Sequence, residues 1–230
     1  MSIKCDEPAT LVKSSKLKTE EKKTLLLLSS LRLLINGLPP VLGKPFNQFN
    51  MVHVITASKG VSDRDYFERN RNFFKEQNYH YTEVDLDETK GKVLRNILKK
   101  AELVYVEGGN TFYLLKAIRE SDFENIIKEL LPQGLIYMGA SAGSYVACPT
   151  IEMAGLRHQN KYDHYGVTNF SAMNLVPFLL SVHYKPEYRE LLKEKISRAT
   201  FLVKILTDEQ ALLIKDGKVE LVGSGEEIVL

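Results

Sequence analysis

The stretch Leu135-Ile136-Tyr137-Met138-Gly139-Ala140-Ser141-Ala142-Gly143 sets an apolar strand directly before a turn with a serine at its apex. A strand that enters a helix through so tight a bend needs small neighbours, because the helix backbone comes back against the strand. The residues flanking Ser141 on both sides are Gly or Ala. The helix expected over residues 142–147 would aim its free N–H groups and positive dipole end at the serine, where an oxyanion would form. By itself the pentapeptide also suits a plain packed strand–helix junction.

Outward from this turn, short β-rich runs alternate with longer helical stretches. Strands are expected over Leu25–Leu28, Val52–Ala57, Tyr79–Asp85, Leu103–Val106 and Leu135–Met138, then over Leu179–Val182 and Phe201–Leu206. Helices are expected over Ser62–Gln77, Thr89–Lys100, Thr111–Glu120, Glu124–Leu130 and Pro186–Arg198. Such alternation, with no fixed-period repeat, predicts an α/β fold with a mostly parallel sheet flanked by helices. Lys215-Asp216-Gly217-Lys218 lies between two β-rich runs, and Asp-Gly suits a tight turn, so a C-terminal antiparallel hairpin is expected at one edge. The segment Ser29–Asn50 is short and unusually apolar for a covering helix.

A chain of 230 residues fits one domain of this kind. Residues 1–23 lack hydrophobic periodicity and read as an N-terminal extension, with the domain over 24–230. A net charge of +2 argues against nucleic acid as a partner. The apolar stretch Leu25–Leu38 is interrupted by Arg32 and is too short to span a membrane, so neither a signal peptide nor a membrane partner is expected. Two distant cysteines, Cys5 and Cys148, suggest no disulfide framework and no metal site, which fits a cytoplasmic setting. A monomer or a homodimer is expected.

A serine hydroxyl is a weak nucleophile near neutral pH and needs a base in hydrogen-bond reach, itself oriented by a third group. Of the five histidines, His183 follows the apolar run Leu179–Val182; His53 and His80 lie within strands, and His158 and His164 lie in a polar, lid-like stretch. Asp208 and Glu209 follow Phe201–Leu206, and Asp208 is the preferred acid, although an aspartate there is also a plain turn former. Ligands of open parallel sheets bind beyond the carboxyl ends of strands, which puts Gly108, Ser141, His183 and Asp208 at one rim. The glycines of Val106-Glu107-Gly108-Gly109-Asn110-Thr111-Phe112 allow close backbone approach to a ligand. No phosphate-binding glycine pattern is present, so Gly109 and Ala142 are read as an oxyanion pair.

The turn Gly108-Gly109-Asn110-Thr111-Phe112, the elbow Gly139–Gly143 and the following Ala147-Cys148-Pro149-Thr150-Ile151 resemble peptidase E, the aspartyl dipeptidase family that also includes cyanophycinases. The likeness runs from about Thr24 to Val222. It implies a class I glutamine amidotransferase-like fold and a serine peptidase acting on short acidic peptides without metal or cofactor. Ser141 then matches the nucleophile, His183 the base, and Asp208 the carboxylate, where the family usually has glutamate. The order Ser141, His183, Asp208 separates the chain from α/β-hydrolases, whose acid precedes the histidine. Departures touch specificity: Ala140 stands where the family has Trp, and Ser181-Val182 where it has Asn-Pro. The family's acidic residue beyond Pro-Thr-Ile is lacking near Leu156, unless Asp163 replaces it. An aspartyl group needs a cation, and Lys185, Arg189, Arg157 and Lys161 are the candidates, with Asn110 a further substrate contact. A catalytically silent binding protein of the same fold and a small-substrate esterase remain the alternatives.

Overall fold

The computed structural model describes residues 22–155 and 163–230. Cys5, Leu156, Arg157, His158, Lys161 and most of the expected extension therefore lie outside the described residues. In chain order the elements are β1 (Thr24–Leu28), α1 (Arg32–Ile35), β2 (Asn50–Val54), α2 (Asp65–Glu76), β3 (His80–Val84), α3 (Gly91–Leu98) and β4 (Leu103–Val106). There follow α4 (Thr111–Ser121), α5 (Phe123–Leu130), β5 (Ile136–Ala140), α6 (Ala142–Tyr145), β6 (Leu179–Ser181), α7 (Arg189–Arg198), β7 (Val203–Ile205), β8 (Gln210–Lys215) and β9 (Lys218–Gly223).

A seven-stranded sheet runs in the order β3-β2-β4-β5-β1-β8-β9. Its first five strands are parallel, while β8 is antiparallel to β1 and β9 antiparallel to β8. The turn between β8 and β9 is Asp216-Gly217, both at positive φ, the geometry that gives a two-residue hairpin the twist of its strands. Strand β1 shows why the sheet is sealed on both faces. Leu25 and Leu27 enter the cluster formed with α3 to α6, whereas Leu26 and Leu28 enter the cluster containing Leu33, Leu34, Phe46, Phe49 and Phe74. All four are fully buried, each stabilising the fold by about 1.5–3 kcal/mol. A strand with layers on both sides must be apolar at every position rather than at alternate ones.

Two expectations need correction. Strand β2 ends at Val54, and Thr56–Gly60 is a 3-10 turn instead of strand. There the Thr56 hydroxyl donates to Asp85 Oδ1 and accepts from the Leu86 N–H, closing the rim loop. In keeping with its short and apolar sequence, the Ser29–Asn50 segment forms only the single turn α1 and a 3-10 turn at Phe46–Gln48, and its apolar side chains cover one sheet face. Finally, β6 and β7 do not extend the main sheet; they pair with each other as a separate parallel ribbon. The reason is that β8 already occupies the free edge of β1. The ribbon continues through Leu206 N–H to Ser181 O and Tyr184 N–H to Leu206 O, which carries His183 and Asp208 to the same rim.

Candidate active site

Ser141 sits at φ +50, ψ −105, a backbone conformation that costs about 1–3 kcal/mol in an L-residue and persists only where the surroundings impose it. Several bonds impose it here. Its N–H donates to Leu28 O (3.1 Å), and its carbonyl accepts from the N–H groups of Ser144 and Tyr145. The buried Tyr137 hydroxyl donates to Gly143 O (2.6 Å), and Ser144 Oγ reaches both Leu28 O (2.7 Å) and Gly139 O (2.8 Å). The small residues are required by contact distance. A Cβ on Gly143 would lie 2.2 Å from Val106 O, and one on Gly139 would lie 2.5 Å from Gly143 O.

His183 Nε2 lies 2.8 Å from Ser141 Oγ, and His183 Nδ1 is hydrogen-bonded to Asp208 Oδ1. A carboxylate can only accept, so Nδ1 carries the proton and the Nε2 lone pair faces the serine hydroxyl. Ser29, fully buried just after β1, ties the row together: its hydroxyl donates to Asp208 Oδ1 (3.1 Å) and accepts from the His183 N–H (2.7 Å). Glu209 points elsewhere, accepting from Asn36 Nδ2. The other described histidines are apart from the serine. His53 is buried against Glu107, His80 is exposed on β3, and His164 stacks on Phe112.

Strands β4 and β5 are neighbours, so the turn after β4 abuts the elbow after β5. A Cβ on Gly108 would lie 3.3 Å from Ser141 Cβ. Gly109, at φ +143, passes so close to Ala57 that a Cβ there would lie 2.2 Å from its carbonyl oxygen. Among the described residues neither the Gly109 nor the Ala142 N–H has a hydrogen-bond acceptor. Asn110 is otherwise engaged. Its Oδ1 accepts from the N–H groups of Phe112 and Tyr113 as the N-cap of α4, and its Nδ2 donates to Asp163 O, so it holds the loop rather than presenting a free amide.

Beneath this turn lies a buried polar group. Glu107, 1% exposed, accepts at Oε1 from the Tyr105 hydroxyl (2.8 Å), the Gly108 N–H (2.9 Å) and Asn70 Nδ2 (3.2 Å); Oε2 lies 3.1 Å from His53 Nε2. Burial first, then the adjacent Glu107 carboxylate, pushes the Tyr105 hydroxyl far above its ordinary pKa and keeps it a donor.

An open pocket of about 620 Å³ spreads from Ser141 across this rim. Lys185 and Arg189 do not line it; both are exposed residues at the start of the segment leading into α7. Among the described residues the cations that do line it are Arg32 and Arg69, and neither has a carboxylate partner there. Asp163 lines it as well. Arg32 read in the sequence only as an interruption of an apolar run, and nothing in the sequence around Arg69 separates it from the other charges of α2. Ser29 had a usable signal, since it follows a strand as Ser141 and Gly108 do. Cys148 is buried, and burial pushes its thiol up to about 12, which removes it as a nucleophile. Among the described residues no cluster of three or more His, Cys, Asp or Glu could hold a metal ion, and no helix is long and apolar enough to cross a membrane.

Fold and site together define an α/β protein with a serine elbow and a serine–histidine–carboxylate row at the carboxyl ends of its strands. The model of peptidase family S51 matches residues 25–222, and the chain belongs to that family. It is 30% identical over 169 residues to a peptidase E of a Nostoc species, covering 69% of this chain and 66% of that one. With an uncharacterized peptidase of Pasteurella multocida it shares 31% over 136 residues, 59% of this chain and 65% of the other. The matched stretch thus spans just under two thirds of these curated relatives. The crystal structure of a candidate peptidase E protein from Listeria monocytogenes superposes with a TM-score of 0.75 at 23% identity, covering 89% of this chain and all of that one.

Proposed function

We propose that the chain is a serine peptidase that hydrolyses short peptides, in particular dipeptides carrying an aspartyl residue, through Ser141, His183 and Asp208. The observation that carries this reading is the 2.8 Å contact between Ser141 Oγ and His183 Nε2, made by a serine held at positive φ. In the reaction His183 Nε2 takes the hydroxyl proton as Ser141 Oγ attacks the peptide carbonyl, and Asp208 stabilises the imidazolium that results. The Gly109 and Ala142 N–H groups receive the developing oxyanion. Collapse expels the amine, which takes the proton from His183; water then attacks the acyl-enzyme with His183 again acting as base. Membership of a peptidase family supports peptide over ester substrates. The size of the pocket, within the range of small-ligand sites, supports a short one.

Arg32 and Arg69 replace Lys185 and Arg189 in this reading as the groups that meet an acidic side chain, because they are the described cations that line the pocket and have no carboxylate partner among the described residues. The test is a panel of dipeptides with Asp, Asn or Ala at the first position. The Asp member is expected to be hydrolysed best, and hydrolysis of none of them would exclude the peptidase reading for this substrate class. Arg69→Ala is expected to raise KM for the aspartyl dipeptide about tenfold, the loss of one charge-assisted hydrogen bond, while leaving the alanyl dipeptide within about twofold. Equal changes for both substrates would remove Arg69 from specificity.

A further inference from the structure

The Gly108–Gly109 peptide has a freedom that an oxyanion donor cannot tolerate. Neither residue carries a Cβ, and Gly109 lies at φ +143, so little in the turn itself prevents the peptide plane from rotating and presenting its carbonyl oxygen instead of its N–H. One contact from outside the turn fixes the plane: the Tyr66 hydroxyl donates to Gly108 O (2.9 Å). The preceding Glu107–Gly108 peptide is anchored separately, since the Gly108 N–H donates to Glu107 Oε1 (2.9 Å) and that carboxylate is held in turn by Tyr105, Asn70 and His53. No peptide bond of the described chain is cis, so the Gly109 N–H points opposite to the carbonyl that Tyr66 holds.

Helix α2 supports both peptides. Tyr66 and Asn70 are four residues apart and therefore lie on one face of the helix; the first reaches the Gly108 carbonyl and the second reaches Glu107. We propose that Tyr66 is a positioning residue that locks the Gly108–Gly109 peptide with the Gly109 N–H presented to the pocket before substrate binds, while Glu107 anchors the peptide before it. This deepens the peptidase reading above and rests on it. Preorganisation of this kind contributes where charge develops, in the transition state, and contributes little to ground-state binding.

The test is Tyr66→Phe, which removes one oxygen from a half-buried ring and leaves Glu107 untouched. With the dipeptide Asp-Ala, kcat is expected to fall about 10–100-fold, somewhat less than loss of an oxyanion donor outright, while KM stays within about twofold. The rate at which a fluorophosphonate modifies Ser141 should fall in parallel, since the phosphonyl oxygen takes the oxyanion position, and the thermal midpoint should stay within about 2 °C of wild type. A wild-type kcat and wild-type labelling rate in Tyr66→Phe would overturn the inference and leave the peptidase reading standing. A rise in KM at unchanged kcat would overturn it too, making Tyr66 a substrate contact. Absence of both hydrolysis and labelling in the wild type would bring down the underlying reading as well.

Discussion

Ser141→Ala is expected to lower kcat for an aspartyl dipeptide by about 10⁴-fold or more, with KM nearly unchanged. The size of the effect follows from the geometry. His183 Nε2 has the Ser141 hydroxyl as its partner at 2.8 Å, and Cys148 is buried with its thiol pushed up to about 12, so among the described residues no cysteine offers a second nucleophile. What survives is the catalysis that an oxyanion site and substrate positioning supply alone. The fold should be indifferent to the change, because the bonds that hold the elbow are made by the Ser141 backbone and by Tyr137 and Ser144, and not by the Ser141 hydroxyl. A steady-state assay beside a thermal melt checks both parts. Turnover within a few-fold of wild type would assign the chemistry to another residue. A wild type without turnover, but able to bind acidic dipeptides, would instead point to a silent binding protein of the same fold.

The second large effect is on stability. Gly143→Ala is expected to cost more than about 3 kcal/mol and to leave little soluble protein. The added Cβ would fall 2.2 Å from Val106 O and 3.0 Å from Val106 Cβ, and the first of these is backbone at the centre of the sheet. Relief requires α6 to lift away from β4. That movement stretches the 2.6 Å bond from the buried Tyr137 hydroxyl to Gly143 O and the Ser144 contacts that tie the elbow to β1 and β5, leaving polar groups unpaired in the core. Urea denaturation is the appropriate measurement. A variant within about 1 kcal/mol of wild type would show that the close approach of helix to strand is dispensable.

The parallel core of the fold was legible because its strands are buried on both faces and read as unbroken apolar runs, as β1 and β4 do. The hairpin was legible because Asp216-Gly217 is chemistry specific to one turn type. The small β6–β7 ribbon was not. An apolar run says that a strand is buried, but its partner is decided by which sheet edge is already filled, and here β8 fills it. At the site, residues that follow strands could be placed at the rim from order alone, which brought Ser141, Gly109, His183 and Asp208 into one reading. Side chains that enter from helices were beyond that rule. Tyr66, Asn70 and Arg69 reach the pocket from α2, and Arg32 from α1. The choice of Lys185 and Arg189 followed closeness in sequence to His183, whereas the chain at Lys185 turns away along the surface into α7. Ser29 follows β1 and so could be placed at the rim by the same rule, but its role as a link between His183 and Asp208 depends on where the carboxylate lies beside it, which the sequence does not show.

The central claim, that Ser141 is an activated nucleophile, is tested most directly by treating the folded protein with a fluorophosphonate and mapping the adduct by mass spectrometry. No knowledge of the substrate is needed. The account predicts a single adduct on Ser141, formed at a rate that falls by at least about 10³-fold in His183→Ala, because an unassisted serine hydroxyl is a poor nucleophile near neutral pH. An adduct on another residue, or no adduct on wild-type protein shown to be folded, would contradict it.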